Sequence, residues 1–137
     1  MLGGIAVSEE MSAIAHSDGD VVIHAMVDAI LGALCLGDIG EIFPNTDPQW
    51  RGAASSQFLE EAMTRLRSAR GRVVNADVTI LAEIPKLVPF KEAITKNLKR
   101  ILAADVNVKA GTHEGCDAVG EGRAVACHAV VLIAGEN

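Results

Sequence analysis

HSDGDVVIHAMVDAILGALCLGDIGEIFPNTDP, residues 16–48, is the stretch on which the reading of this chain turns. It contains two of the four histidines and five of the eight aspartates, and no lysine or arginine. So many acid and imidazole groups around an otherwise apolar helix have no counter-charge near them in sequence. A cation from outside the block is the simplest way to neutralise them, and a metal ion is the first candidate. Asp20, His24 and Asp28 recur at four-residue spacing and share one helix face. Val22, Ile23, Met26, Ile30 and Leu34 line the opposite side, and Ala25, Ala29 and Gly32 form a small-residue face suited to close packing. A helix apolar nearly all round is buried, so its polar stripe must meet a partner, because unpaired buried charge costs several kcal/mol. Two readings stay open: a structural histidine held by a neighbouring aspartate, or an aspartate steadying a metal-bound imidazole from one turn away.

Just before that helix, His16, Ser17, Asp18 and Gly19 offer an imidazole, a hydroxyl and backbone N–H groups at a positive helix end. That is a phosphate cradle, although the same residues also make an ordinary turn and cap. Lys109 to Glu114, KAGTHE, place a base, a hydroxyl and a carboxylate in a turn after a strand. There Thr112 can hold a phosphate oxygen and Glu114 can ligate a divalent ion.

Working outward, a short apolar segment at 4–7 predicts a strand, and Asp20 caps a helix over 20–36. Residues 38–57, rich in Gly, Pro, Asn, Asp and Ser, predict a long functional loop. Ser55 or Ser56 caps a second helix that ends at Arg70-Gly71 with bases in its last turn. A strand over 73–84 stops at Pro85, and a third helix follows Pro89 with Ile94, Leu98, Ile101 and Leu102 on one face. A short strand covers 105–109. The last, over 124–133, is apolar almost throughout and is expected to be central or at an interface. Interleaved strands and helices predict one α+β domain over 1–137, a mixed β-sheet with helices packed on one face.

Half of the 137 residues are apolar, only 3% are aromatic and tyrosine is absent, so the core is expected to be aliphatic. That much apolar surface in a small chain points to an oligomer that buries part of it. Residues 1–50 carry eight acids and no base, residues 51–137 twelve bases and ten acids, for a net charge of −6. Bulk electrostatic binding of nucleic acid is excluded as a leading role. No apolar run approaches the roughly 20 residues of a membrane span, and no base precedes Arg51, so neither a membrane partner nor a signal peptide is expected. Three cysteines without a C-x-x-C pair fit a reducing compartment.

Together these pieces resemble the 2-C-methyl-D-erythritol 2,4-cyclodiphosphate synthase family of non-mevalonate isoprenoid biosynthesis. The signature A-H-S-D-G-D-x-x-x-H-A-x-x-D-A-x-L-G-A runs from Ala15 to Ala33. LGDIG at 36–40, FPNTDP at 43–48, NADVTI at 75–80, PKL at 85–87, DVNVKA at 105–110 and THE at 112–114 follow it, so the resemblance spans essentially the whole chain from Leu2. It implies a homotrimer with active sites at subunit interfaces, in a bacterial cytoplasm or a plastid. It implies that His24 ligates Zn²⁺ or another divalent cation, that His16 and Ser17 hold the substrate phosphate, and that Asp38, Ile39 and Gly40 lie on the erythritol side. Phe43, Pro44, Asn45, Thr46 and Asp47 would form a loop over that moiety. Ala82, Glu83, Ile84, Pro85, Lys86, Leu87 and Val88 would wrap the cytidine, with Ala118 and Glu121 nearby. Gly111, Thr112, His113 and Glu114 would grip the diphosphate, Glu114 also touching Mg²⁺ or Mn²⁺. His16 and Thr112 would stand where charge develops in the transition state. The implied substrate is a cytidine diphosphate-linked methylerythritol 2-phosphate, which cyclises and releases CMP.

The sequence departs from the family pattern at several points. Asn45 and Ala54 replace common aspartates, Ala118 replaces a frequent aromatic residue, and Glu121-Gly122-Arg123 places acid before base. The family opens with a strand carrying D-x-H, whose aspartate and histidine complete the zinc site with the histidine at position 24. This chain starts at the later L-G-G, so that strand is expected to be missing. Two readings of function follow: the cyclodiphosphate synthase itself, or a trimeric nucleotide- and phosphate-binding homologue without a complete zinc site.

Overall fold

In a computed structural model, which describes residues 1–9 and 18–136, the apolar helix of the block is α1, Val21–Ala33. Asp20 is its N-cap, and one carboxylate oxygen accepts the N–H groups of Val22 and Ile23, both at 3.1 Å. The same fully buried carboxylate accepts the N–H of Gly3 at 2.8 Å and of Gly4 at 2.7 Å. The strand expected at 4–7 is therefore not formed. Gly3 and Gly4 take positive φ, which strands exclude, and the chain closes into a tight turn bridged between Leu2 and Ile5. A Cβ on Gly3 would lie 2.6 Å from Ile94 Cγ2, so this turn presses against the helix that bears Ile94.

The first helix ends at Ala33 rather than 36 because Cys35 adopts φ +56. The N–H of Leu36 then bonds to Leu31 O and that of Cys35 to Gly32 O, the paired bonds of a Schellman cap. The loop expected over 38–57 is partly ordered as a single-turn helix α2, Ile39–Ile42, and a 3₁₀ turn, Pro48–Trp50, capped by Asp38 and Asp47. The second long helix, α3, is Ser55–Ser68. Neither Ser55 nor Ser56 caps it. Ala54 holds that position without a side-chain bond, because the Ser55 hydroxyl turns to Asp18 instead.

Three strands follow: β1, Gly71–Leu81; β2, Asp105–Gly111; and β3, Ala126–Gly135. They form one mixed sheet in the order β2-β1-β3, with β1 and β2 parallel and β1 and β3 antiparallel. Helix α4, Lys91–Leu102, is the crossover between the parallel pair, and a single turn α5, Asp117–Gly120, precedes β3. Among the described residues the last strand pairs with β1 alone, at one side of the sheet rather than at its centre. Both of its faces carry apolar residues. Cys127, Ala129, Val131 and Ile133 pack on the core, while Val130 (71% exposed) and Leu132 (58% exposed) project from the other face.

The helices lie on one side of the sheet, as expected. Ala76, Val78, Ile80, Val106 and Val108 point inward, with α1 chiefly over β3 and α4 over β2. The alternate residues Asp77, Asn107 and Lys109 face away, where Asp77 accepts from Asn107 at 3.0 Å and pairs with Lys109 at 2.6 Å. The core is aliphatic as composition predicts, with one exception. Phe43, Trp50 and Phe58 gather into a cluster with ring centroids 4.7–5.7 Å apart.

Replacing Asp20 by Ala is expected to cost about 3 kcal/mol, since four backbone donors lose a buried charged acceptor. Urea unfolding at fixed chain concentration measures it, and an unchanged midpoint would contradict this role. Cys127 gives a second test. Burial, with the Asp20 charge adding, pushes its thiol up to about 12. At neutral pH iodoacetamide should modify the exposed Cys35 and Cys116 and reach Cys127 only after unfolding. Because the folded value lies above the ordinary 9.0, the unfolded chain loses this proton first, and stability should fall as pH rises beyond about 9.

Candidate active site

The residues expected to meet the ligand fall into two groups, each with its own physical support. The first sits where β1 and β2 end. Their parallel register pairs Leu81 with Gly111, so both carboxyl ends stop at the same level, the edge at which open sheets bind ligands. The N–H of Ala82 bonds to Gly111 O at 3.0 Å, and the N–H of Gly115 to Glu83 Oε1 at 3.4 Å, which ties the two following loops together. β3 begins opposite Leu81, so residues 121–125 arrive there as well.

Within this group the side chains divide by exposure. Ala82 and Leu87 are buried and act as supports, whereas Ile84, Lys86 and Val88 are exposed. Thr112 is exposed, and its Oγ1 accepts the Glu114 N–H at 3.2 Å, which leaves its own proton to donate. His113 is committed elsewhere: Nδ1 lies 2.8 Å from Asp117 Oδ2 and 3.0 Å from Oδ1. That bond, with N–H groups of Gly120 and Val119, holds the Asp117 carboxyl below its usual 3.8. The spacing of four between His113 and Asp117 was the signal that sequence reading passed over.

The second group surrounds the middle of α1. Asp28 Oδ1 accepts the Ile39 N–H at 2.8 Å, and Asp38 Oδ1 the Glu41 N–H at 2.9 Å, so the block's acids hold its own loop. The Phe43 ring is buried against Trp50 and Phe58 and anchors the 43–47 loop from beneath. Pro44 is half-buried, Asn45 and Thr46 are exposed, and Asp47 caps the 3₁₀ turn through the Gln49 N–H. The Asp20, His24, Asp28 stripe is therefore split in purpose. Both acids bind backbone N–H groups, and the imidazole finds a partner far away in sequence.

That partner is Ser55, whose Oγ lies 2.8 Å from His24 Nε2. Ser55 Oγ in turn bonds to Asp18 Oδ1, while Asp18 also accepts the N–H groups of Ser55 at 3.1 Å and Asp20 at 3.2 Å. Partial burial raises the Asp18 carboxyl, but these hydrogen bonds and the nearby His24 outweigh it and leave the group below 3.8. Nothing in sequence marks a contact 37 residues apart, which is why Ser55 read only as a cap. Asp18 and Gly19 also line a cavity of about 190 Å³ with Leu2, Ile84, Pro85 and Arg123, so the start of α1 faces the loop after β1. His16 and Ser17, the expected phosphate cradle, lie outside the described residues.

For metals the donor set gives a split answer. No cluster of three or more His, Cys, Asp or Glu occurs among the described residues, and His24 spends Nε2 on Ser55. These residues do not by themselves fit zinc, which takes at least three protein ligands. Glu114 fits a lesser role, since Mg²⁺ commonly rests on one or two carboxylates plus substrate phosphates.

Comparison with known proteins bears on the same residues. The chain is 49% identical over 136 residues to the chloroplastic 2-C-methyl-D-erythritol 2,4-cyclodiphosphate synthase of Arabidopsis thaliana, covering 97% of this chain and 59% of that protein. It thus spans little more than half the length of that plant relative. To the synthase of Pasteurella multocida it is 46% identical, covering 97% of this chain and 86% of the relative. A solved structure of 2C-methyl-D-erythritol-2,4-cyclodiphosphate synthase in its CDP-bound form superposes with a TM-score of 0.90 at 36% identity, over 98% of this chain and 89% of that one. Residues 1–134 match the YgbB family, and the chain belongs to it.

Proposed function

We propose that this chain acts as a 2-C-methyl-D-erythritol 2,4-cyclodiphosphate synthase, closing a cyclic diphosphate from a cytidine diphosphate-linked 2-phosphate with release of CMP. The observation that carries the reading is the meeting of the 82–88 and 111–121 loops at the carboxyl ends of β1 and β2. A structural relative is described in a CDP-bound form, which supports a cytidine nucleotide as the ligand for which this edge is proposed.

The reaction is an internal displacement. An oxygen of the 2-phosphate forms a bond to the β-phosphorus of the CDP group, the bond from that phosphorus to the oxygen bridging to the α-phosphorus breaks, and CMP leaves with the electron pair. The attacking oxygen is already anionic, so no side chain needs to act as nucleophile. The protein's part is to fold a flexible polyanion back on itself, and such positioning can supply roughly 7–11 kcal/mol. Lys86 and the backbone of the 82–88 loop take the cytidine end. Thr112 donates its hydroxyl proton to a phosphate oxygen as charge builds, and His16 and Ser17 hold the 2-phosphate.

Asp38, Ile39, Gly40 and the 44–47 segment would cover the erythritol side, contributed by a neighbouring subunit. The exposed apolar Val130 and Leu132 on the open sheet face support a homotrimer with sites between chains. Mg²⁺ or Mn²⁺ at Glu114 would neutralise diphosphate charge when bound. Zinc would be held at His24 only with donors beyond the described residues, and no step is assigned to it.

Incubating the full chain with the cytidine diphosphate-linked 2-phosphate and Mg²⁺ should release CMP and cyclic diphosphate in equal amounts. Binding of CDP without CMP release would overturn the proposal. Thr112→Ala is expected to lower kcat about 10²-fold, the loss typical of one donor at a developing charge. Lys86→Ala should raise KM more than it lowers kcat, because it removes binding common to ground and transition states.

A further inference from the structure

We propose that Asp117 is a positioning residue: through His113 it fixes the 112–114 turn so that the Thr112 hydroxyl and the Glu114 carboxylate meet the diphosphate together. In the proposed phosphoryl transfer, on which this rests, Thr112 and Glu114 supply contacts to the diphosphate, and they flank His113 directly in sequence. Whatever anchors the imidazole therefore anchors the residues on either side of it. His113 Nδ1 lies 2.8 Å from Asp117 Oδ2 and 3.0 Å from Oδ1. From the other side Asp117 Oδ1 accepts the N–H of Val119 at 2.8 Å and that of Gly120 at 3.2 Å. One carboxylate thus ties the turn that follows β2 to the backbone of α5.

The turn needs such a clasp because its backbone is one that these residues do not favour unaided. Glu114 has φ +52 and Asp117 φ +60, in the left-handed region that a β-carbon disfavours. Aspartate visits that region more readily than most residues, but glutamate does not share this tolerance. A return of Glu114 to negative φ would re-aim its carboxylate. It would also shift its N–H, which the Thr112 Oγ1 accepts at 3.2 Å, so the direction of the Thr112 hydroxyl proton follows the Glu114 backbone. Two further contacts hold the base against which the clasp pulls. A Cβ on Gly120 would lie 2.5 Å from the Gly115 carbonyl carbon, so α5 sits directly on the turn. Glu83 Oε1 accepts the Gly115 N–H at 3.4 Å and steadies the turn from the 82–88 loop. Only the His113–Asp117 bond reaches the segment between Thr112 and Glu114 from α5.

The test pairs activity with a measurement that needs none. Asp117→Gly removes the carboxylate yet accepts φ +60, so backbone strain does not enter the comparison. It is expected to lower kcat for CMP release roughly 10-fold, as losing a partner that orients a working group does, and to raise the Mg²⁺ concentration giving half-maximal rate. Asp117→Asn, whose side-chain oxygen can accept from the same donors, should restore most of both. In a Thr112→Ala background Asp117→Gly should cost less than about 3-fold in kcat at saturating Mg²⁺, because the hydroxyl it positions is already gone. Independent, multiplicative losses overturn the proposal, and so does a fall in kcat with the Mg²⁺ dependence unchanged. On the full ¹⁵N-labelled chain, the Glu114 amide should exchange with solvent faster in Asp117→Gly and at the wild-type rate in Asp117→Asn. Unchanged exchange in the Gly variant also overturns it. Should the wild-type chain release no CMP, the proposed reaction fails while amide exchange still decides whether Asp117 holds the turn.

Discussion

Asp20 carries a charge with no solvent exposure, and four backbone N–H groups from two separate segments converge on it. Two of them open α1 and two belong to the turn at Gly3-Gly4. Water is shut out of this site, so the carboxylate is tolerable only because every side of it meets a donor. The bond set therefore decides where α1 begins and holds the amino-terminal turn against α4. It also decides which way the next residues of the helix face. One turn on, His24 points at Ser55, and two turns on, Asp28 points at the Ile39 N–H.

From that anchor the site divides according to what each segment can supply. Around α1 the acids serve backbone groups, so the dense negative charge of the block becomes internal scaffolding. At the far ends of β1 and β2 the backbone is already satisfied by strand pairing, so side chains such as Thr112 and Lys86 remain exposed for a ligand. The open sheet face has a third character. Apolar Val130 and Leu132 stand beside the Asp77–Lys109 pair, which makes this face a mixed apolar and charged surface.

Much of this was legible in the residues. The period of α1, its Asp20 cap, the start of α4 after Pro89 and the alternation of β1 follow from local spacing and short-range sterics. The family motifs likewise marked the 82–88 and 111–114 loops. Reading failed where a distant partner competed for a group that looked locally committed. Ser55 looks like a helix cap and binds Asp18 instead; Gly4 to Val7 looks like a strand until the Gly3 and Gly4 N–H groups are taken by Asp20. The aromatic cluster of Phe43, Trp50 and Phe58 likewise joins residues that no local pattern links.

The sequence by itself determined the three long helices and three long strands, the α+β class and the residue types available for phosphate chemistry. These depend on interactions within a few residues and on composition, both of which a linear reading contains. Only the tertiary structure decided that β3 pairs with β1 alone among the described residues, that Asp20 holds the Gly3-Gly4 turn, and that Asp18, Ser55 and His24 form one chain of hydrogen bonds. Each of those joins segments that are apart in sequence, and only the packed fold brings their donors and acceptors together.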